Sequence, residues 1–119
     1  MSLLQSIYTP GGQGHPVAEK QYGSVAAESH VQLQRHAGRV SRLGGYTTTQ
    51  QFVQLHDVKD HPADGAVPKW SRAIAGTWNF DFNDIANENC VDGVFICVST
   101  TQATKTIGAA DTLFNITYQ

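Results

Sequence analysis

The second half of the chain contains short apolar or alternating runs that are separated by turn-forming residues. Runs of this length, rich in β-branched and aromatic residues and bounded by Gly, Pro, Asn and Asp, are typical of β-strands. The clearest runs lie at 52–55, 78–82, 94–98 and 113–118, and strands are predicted near 30–36, 39–44, 51–57 and, as a short edge strand, 69–75. The pattern predicts an all-β fold: an antiparallel, jelly-roll-like β-sandwich with an extended N-terminal arm.

The predicted strands also indicate a hydrophobic core. In the run 78–82, the aromatic residues alternate with Asn79 and Asp81, so they share one face of a strand. The run 94–98 is apolar on both faces, which is typical of a central strand that is covered on both sides. The residues predicted to form the core are Trp78, Phe80, Phe82, Phe95 and Leu113.

Residues 1–24 differ in composition from residues 25–119, which form the predicted β-sandwich domain. The segment 10–16 is too rich in Gly and Pro for a helix or a central strand. Four apolar residues precede it: Leu3, Leu4, Ile7 and Tyr8. Two interpretations stay open, a mobile terminus or an assembly arm that orders against a neighbouring subunit.

The composition narrows the classes of function. The 119 residues suffice for one domain, and 40% of them are apolar, as in globular proteins. Only 15% are charged, so few ions would have to be desolvated when this surface packs against other protein. The net charge of -2 gives no reason to expect binding to nucleic acid or to an anionic membrane. No run has the length of a membrane span, and the first residues lack the pattern of a secretory signal, so we expect folding in a cytoplasm.

A group of histidines and aspartates raises the question of a metal site. His56, Asp57, Asp60, His61 and Asp64 lie within nine residues, but their spacing matches neither an EF-hand nor a zinc motif. Aspartates in loops usually make local turn hydrogen bonds instead. We therefore predict no bound metal here, and a turn at Asp64-Gly65 that local side-chain hydrogen bonds stabilise.

No sequence motif indicates catalysis. The chain has no Gly-x-Ser-x-Gly motif and no phosphate-binding loop, and neither Cys90 nor Cys97 lies in a catalytic signature. Cys97 lies within an apolar run and is predicted to be a small buried side chain. A bridge between the two cysteines stays open, because sequence does not give their separation. The expectation is a protein without catalytic residues or cofactors.

Several segments resemble a group of small virion proteins of tailed bacteriophages. They are QFVQLHD at 51–57, PADGAVP at 62–68, STT at 99–101 and TKTIGAAD at 104–111, and the resemblance spans residues 30–118. It implies a structural protein of the virion, made in the host cytoplasm. The expected role is that of a capsid decoration or cement protein, or of a head or tail fibre component. Its expected partners are capsid or other virion proteins and further copies of the chain.

A carbohydrate-binding module is the alternative, because jelly rolls often bind sugars. The aromatic residues that could form a stacking platform are Trp70, Trp78 and Tyr46. Trp78 shares its predicted face with Phe80 and Phe82, which favours a place in the core. Trp70, close after a proline, is the better candidate for an exposed platform.

Overall fold

The computed structural model describes residues 19–82 and 89–119, and these form seven β-strands and no helix. The strands are β1 (Lys20–Gly23), β2 (His30–Gln34), β3 (Gly38–His56), β4 (Trp70–Asp81), β5 (Asn89–Cys90), β6 (Val94–Ser99) and β7 (Thr112–Tyr118). Every strand pairing is antiparallel. The predicted all-β, antiparallel class is therefore confirmed.

The 19-residue strand β3 organises the sheet. Along one edge, residues Arg42 to Leu55 pair with β4, and Gly38 and Arg39 pair with the short β5. On its other edge, the first half pairs with β7 and the second half with β6. The resulting strand order is β1-β7-β3-β6-β2, with β4 and the short β5 as additional partners of β3. The predicted strands 39–44 and 51–57 are thus parts of one strand, and the predicted strands 69–75 and 78–82 are likewise merged in β4.

The sheet curls where β3 and β4 bend. Their pairing shifts register between Thr47 and Gln51, and Gly76 on the opposite strand has a φ of 60°, a conformation that favours glycine. The Asp111 carboxylate accepts hydrogen bonds from Thr49 Oγ1 at 2.6 Å and Gln51 Nε2 at 2.7 Å, which fixes the bulge. The two halves of the curled sheet enclose one core, a β-sandwich-like arrangement. The jelly-roll connectivity stays a prediction.

Most of the residues that were predicted to lie in the core are buried there. Trp78 and Phe82 are buried, and Phe80 is half-buried on the same face, where its ring lies 5.1 Å from that of Trp70. Phe95 is buried as predicted, but on the opposite face of β6 from Val94, Ile96 and Val98, which join the main cluster. Strand β6 is therefore covered on both sides, as its sequence predicted.

The prediction that Leu113 lies in the core is wrong, because Leu113 is 42% exposed. Along β7 the alternating positions Thr112, Phe114 and Ile116 are buried, as is Thr117, whereas Leu113 and Asn115 are exposed on the other face. The run Leu-Phe-Asn-Ile-Thr contains apolar residues in both phases, and only the pairing with β3 decides which phase faces inward.

The predicted boundary of the arm is also corrected. Residues 20–23 form β1, which pairs with β7 from Lys20–Tyr118 to Gly23–Asn115. The last part of the predicted arm is thus an edge strand of the sheet. Leu3, Leu4, Ile7 and Tyr8 lie outside the described residues. In the described part of the chain, no helix is long and apolar enough to cross a membrane.

Candidate functional site

The end of β3 carries a buried polar cluster. His56 is 2% exposed, and its Nε2 donates to Gln54 Oε1 at 2.9 Å. Burial lowers the pKa of His56 to about 4, and the positive charges of Lys105 and His61 act in the same direction. His56 is therefore neutral at physiological pH and serves as a hydrogen-bond donor inside the protein.

Asp60, His61 and Asp64, which belong to the same group of histidines and aspartates, do not converge on one point, and each has its own partner. Asp60 pairs with Arg35, and Asp64 Oδ1 accepts from Lys105 Nζ at 2.8 Å. The ring of His61 packs 4.4 Å from that of His30 and 5.0 Å from that of Phe95. Within residues 19–82 and 89–119, no group of three or more His, Cys, Asp or Glu side chains is placed to hold a metal ion.

Asp57, the remaining member of that group, binds the turn between β5 and β6. Its carboxylate accepts hydrogen bonds from the backbone N–H groups of Val91, Asp92 and Gly93 at 3.1, 2.8 and 3.3 Å. Burial alone would raise the pKa of Asp57, but these three donors hold it below its ordinary value. Asp57 therefore joins the end of β3 to the start of β6.

The turn at Asp64-Gly65 is confirmed, but its predicted stabilisation is wrong. Ala66 N donates to Ala63 O at 3.2 Å, and Gly65 has a φ of 97°. The Asp64 carboxylate, however, makes no local bond in this turn. It accepts from Lys105 Nζ and, at 3.2 Å, from Ile107 N, both far along the chain.

These bonds belong to a set of hydrogen bonds that joins two loops, residues 57–69 and 100–111. Gly65 N donates to Lys105 O and Lys105 N donates to Ala66 O, each at 2.7 Å. The Lys105 side chain is 2% exposed, whereas that of Asp64 is 55% exposed. The ammonium group is thus covered by the first loop, and the Asp64 carboxylate pairs with it from the solvent-exposed side.

Two buried polar side chains hold the second loop onto the sheet. Gln54 Nε2 faces the carbonyl oxygens of Thr101, Gln102 and Thr104 at 3.0 to 3.2 Å. Ser99 Oγ accepts from Thr101 N and from Thr106 N at 3.1 and 2.9 Å. Sequence reasoning missed this network, although a Gln inside an apolar strand and a Ser at the end of another are the signals that could have indicated it.

Both cysteines are buried and no disulfide joins them, so the possible bridge is not formed. Burial raises the pKa of the Cys97 thiol to about 12, and its Sγ lies 3.7 Å from Gln54 Oε1. The thiol is therefore protonated at neutral pH and is a poor nucleophile. This agrees with the predicted structural role of Cys97.

The predicted stacking platform is not assembled. Trp70 and Trp78 both belong to the core, and Trp70 packs edge-on against Phe82 at 4.9 Å, so the expectation of an exposed Trp70 is wrong. Tyr46 is 46% exposed. It lies opposite Leu113 and Thr77 on the solvent side of the sheet.

Strand β4 is an exposed edge of the sheet. Among the described residues it pairs only with β3, so one side of its 12-residue backbone faces away from the sheet. Its exposed positions include Ala73, Ala75 and Thr77, and β4 contains no Pro, so the charged side chains Arg72 and Asp81 are its exposed protecting residues. Gly76, with its φ of 60°, interrupts the extended backbone of this edge opposite the register shift in β3. Such an edge can accept a strand from another chain.

Comparisons with protein-family models, with curated proteins and with solved structures find no match to this chain.

Proposed function

We propose that the protein is a non-enzymatic structural component of a tailed-bacteriophage virion, a capsid decoration or cement protein that stabilises the particle through subunit contacts. The observation that supports an assembly role best is the long edge strand β4, which pairs with β3 alone among the described strands and carries small side chains at its exposed positions Ala73, Ala75 and Thr77. The virion itself is proposed from the resemblance of residues 30–118 to small virion proteins.

The surface chemistry supports the same role. Few charged side chains would need to be desolvated on contact, because only 15% of the residues are charged. The buried groups His56, Cys97 and Lys105 each have a structural partner. They hold loops and strands together, as expected of a rigid building block.

The first test measures association. Light scattering and mass photometry should show self-association, or binding to purified particles of the encoding phage that lack the protein. Ala75→Lys should weaken this association, because a charge on an edge strand opposes strand addition. Ala109→Lys is the matched control, since Ala109 is exposed in the loop 100–111, away from β4.

Two outcomes would contradict the proposal. One is a monodisperse monomer with no affinity for capsids or tails. The other is association that Ala75→Lys and Ala109→Lys affect equally. Imaging of intact particles would then locate the chain on the head or the tail, which separates a cement protein from a fibre component.

A further inference from the structure

The outer face of the first half of the sheet carries an ordered set of polar side chains. Residues directly opposite each other in an antiparallel sheet share a face. Here that rule places three rows across β4, β3 and β7, which together we name the outer face: Asp81–Arg42–Thr117, Asn79–Gly44–Asn115 and Thr77–Tyr46–Leu113.

Arg42 lies in the middle of the first row and contacts the side-chain amides of Asn79 and Asn115 in the second row. Its Nη1 donates to Asn79 Oδ1 at 3.0 Å, and its Nη2 faces Asn115 Oδ1 at 3.4 Å. Because both amide oxygens point at the guanidinium, both amide NH₂ groups remain as donors for another molecule. Gly44 is buried beneath the Asn79 amide, since a Cβ there would lie 2.7 Å from Asn79 Oδ1.

A polar groove continues the outer face beside Arg42. Its volume is about 260 Å³, and its lining consists of Glu19, Gln21, Ser41, Arg42, Asp81 and Thr117. All six side chains are polar, so the groove suits a hydrated ligand and not an apolar one. Two carboxylates and one guanidinium give it no net positive charge, which disfavours phosphate or polyanionic ligands.

The other end of the outer face has an apolar strip. Tyr46 and Leu113 are cross-strand neighbours, 46% and 42% exposed. Tyr46 is four residues from Arg42 on the same side of β3, a distance of about 13 Å at the usual rise of a strand. The ring offers an apolar surface and a polar hydroxyl on a rigid element.

We infer that the outer face binds a neutral oligosaccharide. A sugar ring presents hydroxyls that both donate and accept, and apolar C–H groups on its faces. Arg42 and the two asparagine amides supply donors, the Tyr46 hydroxyl can both donate and accept, and the Tyr46 ring with Leu113 supplies the apolar contact. The length of the face fits several linked sugars better than one. This binding activity goes beyond the proposed assembly role and does not depend on it.

The test uses the full chain and a glycan array with neutral and acidic oligosaccharides, followed by titration calorimetry with cellohexaose, maltohexaose and an oligouronate. We expect binding to a neutral glycan. Tyr46→Ala and Arg42→Gln should each weaken it by about tenfold or more, as expected for a central aromatic or arginine contact. Val91→Ala and Arg35→Gln are the matched controls, because both residues are exposed elsewhere, and they should leave the affinity unchanged.

Thermal melts of all four variants establish that they are folded. A readout that needs no variant is the chemical shift of the Tyr46 ring protons in the unmodified protein, which should change on addition of the neutral glycan. The inference is overturned if no neutral glycan on the array binds, if only the oligouronate binds, or if the face variants bind like the controls.

Discussion

Lys105 and Asp64 form an unequal ion pair: the ammonium group is buried, while the carboxylate that neutralises it at 2.8 Å is more than half exposed. Removing the carboxylate would leave a buried charge without its partner, which costs more than removing both groups. The pair also joins two loops that are far apart in sequence. Its disruption should therefore affect stability more than a surface salt bridge does.

The first prediction concerns this pair. Asp64→Asn should lower the free energy of unfolding in urea at neutral pH. The double variant Asp64→Asn with Lys105→Met should recover most of that loss, because a methionine needs no counter-ion. Arg35→Gln, which removes an exposed ion pair, is the control and should have little effect. A double variant as unstable as the sum of the two single variants would contradict the proposed role of the buried charge.

The second prediction concerns the pH dependence of stability. The pKa of His56 is about 4 in the folded protein, against the ordinary histidine value of 6.5 that applies to the unfolded chain. His56 therefore takes up a proton more readily in the unfolded chain, so protonation favours unfolding. The free energy of unfolding is highest above pH 6.5 and decreases as the pH falls towards 4. The full loss is about 3 kcal/mol. His56→Gln should flatten the curve of unfolding free energy against pH over this range. Parallel curves for the two proteins would show that His56 titrates normally.

The third prediction concerns the phase of β7. Phe114 is buried and packs edge-on against Trp78 at 6.3 Å. Phe114→Ala should cost about 3–5 kcal/mol, whereas Leu113→Ala should change stability by about 0.5 kcal/mol or less. Phe80→Ala should fall between these values, because Phe80 is only half-buried. Chemical denaturation of the three variants gives the ranking, and an equal cost for Leu113 and Phe114 would mean that β7 is in another register.

The fourth prediction concerns the thiols. Cys97 has a raised pKa, and both Cys97 and Cys90 are buried. Ellman's reagent at pH 8 should react slowly with the native protein and should label both cysteines in denaturant. Absence of labelling in denaturant without reductant would instead indicate a bridge.

The fifth prediction separates the arm from the edge strand β1. Deleting residues 1–18 should leave the sheet folded, because β1 and its pairing with β7 are kept. Deleting residues 1–24 removes β1 as well and should lower the melting temperature. If the first deletion reduces association with particles, the apolar cluster Leu3, Leu4, Ile7 and Tyr8 is the assembly arm. Unchanged association would make it only a tail.

Local pattern predicted the strands well, because side-chain alternation is a local property of the chain. It located β6 and the aromatic face of β4. It divided β3 and β4 into shorter strands, and the predicted breaks at 45–50 and 76–77 contain Gly45 and Gly76. Gly45 is instead a point of close approach: it has a φ of 152°, and a Cβ there would lie 1.9 Å from Leu113 O. Only the contact with β7 explains that glycine.

The functional surfaces were harder to predict, because they depend on pairs that are distant in sequence. Asp64 reaches Lys105 across 41 positions, and Arg42 reaches Asn115 across 73. A loop aspartate and a strand arginine each have many possible partners in one sequence. The burial of Trp70 was missed for the same reason, since it packs against Phe82, which follows the last residue of β4.

The length of β3 has a consequence for how the protein unfolds. One strand belongs to both halves of the curled sheet, and residues from both halves form a single core. Neither half could therefore melt while the other keeps its native contacts, so the chain should behave as one cooperative unit with a single calorimetric transition. Since most of its pairings join distant parts of the sequence, refolding should also be slow for a protein of this size.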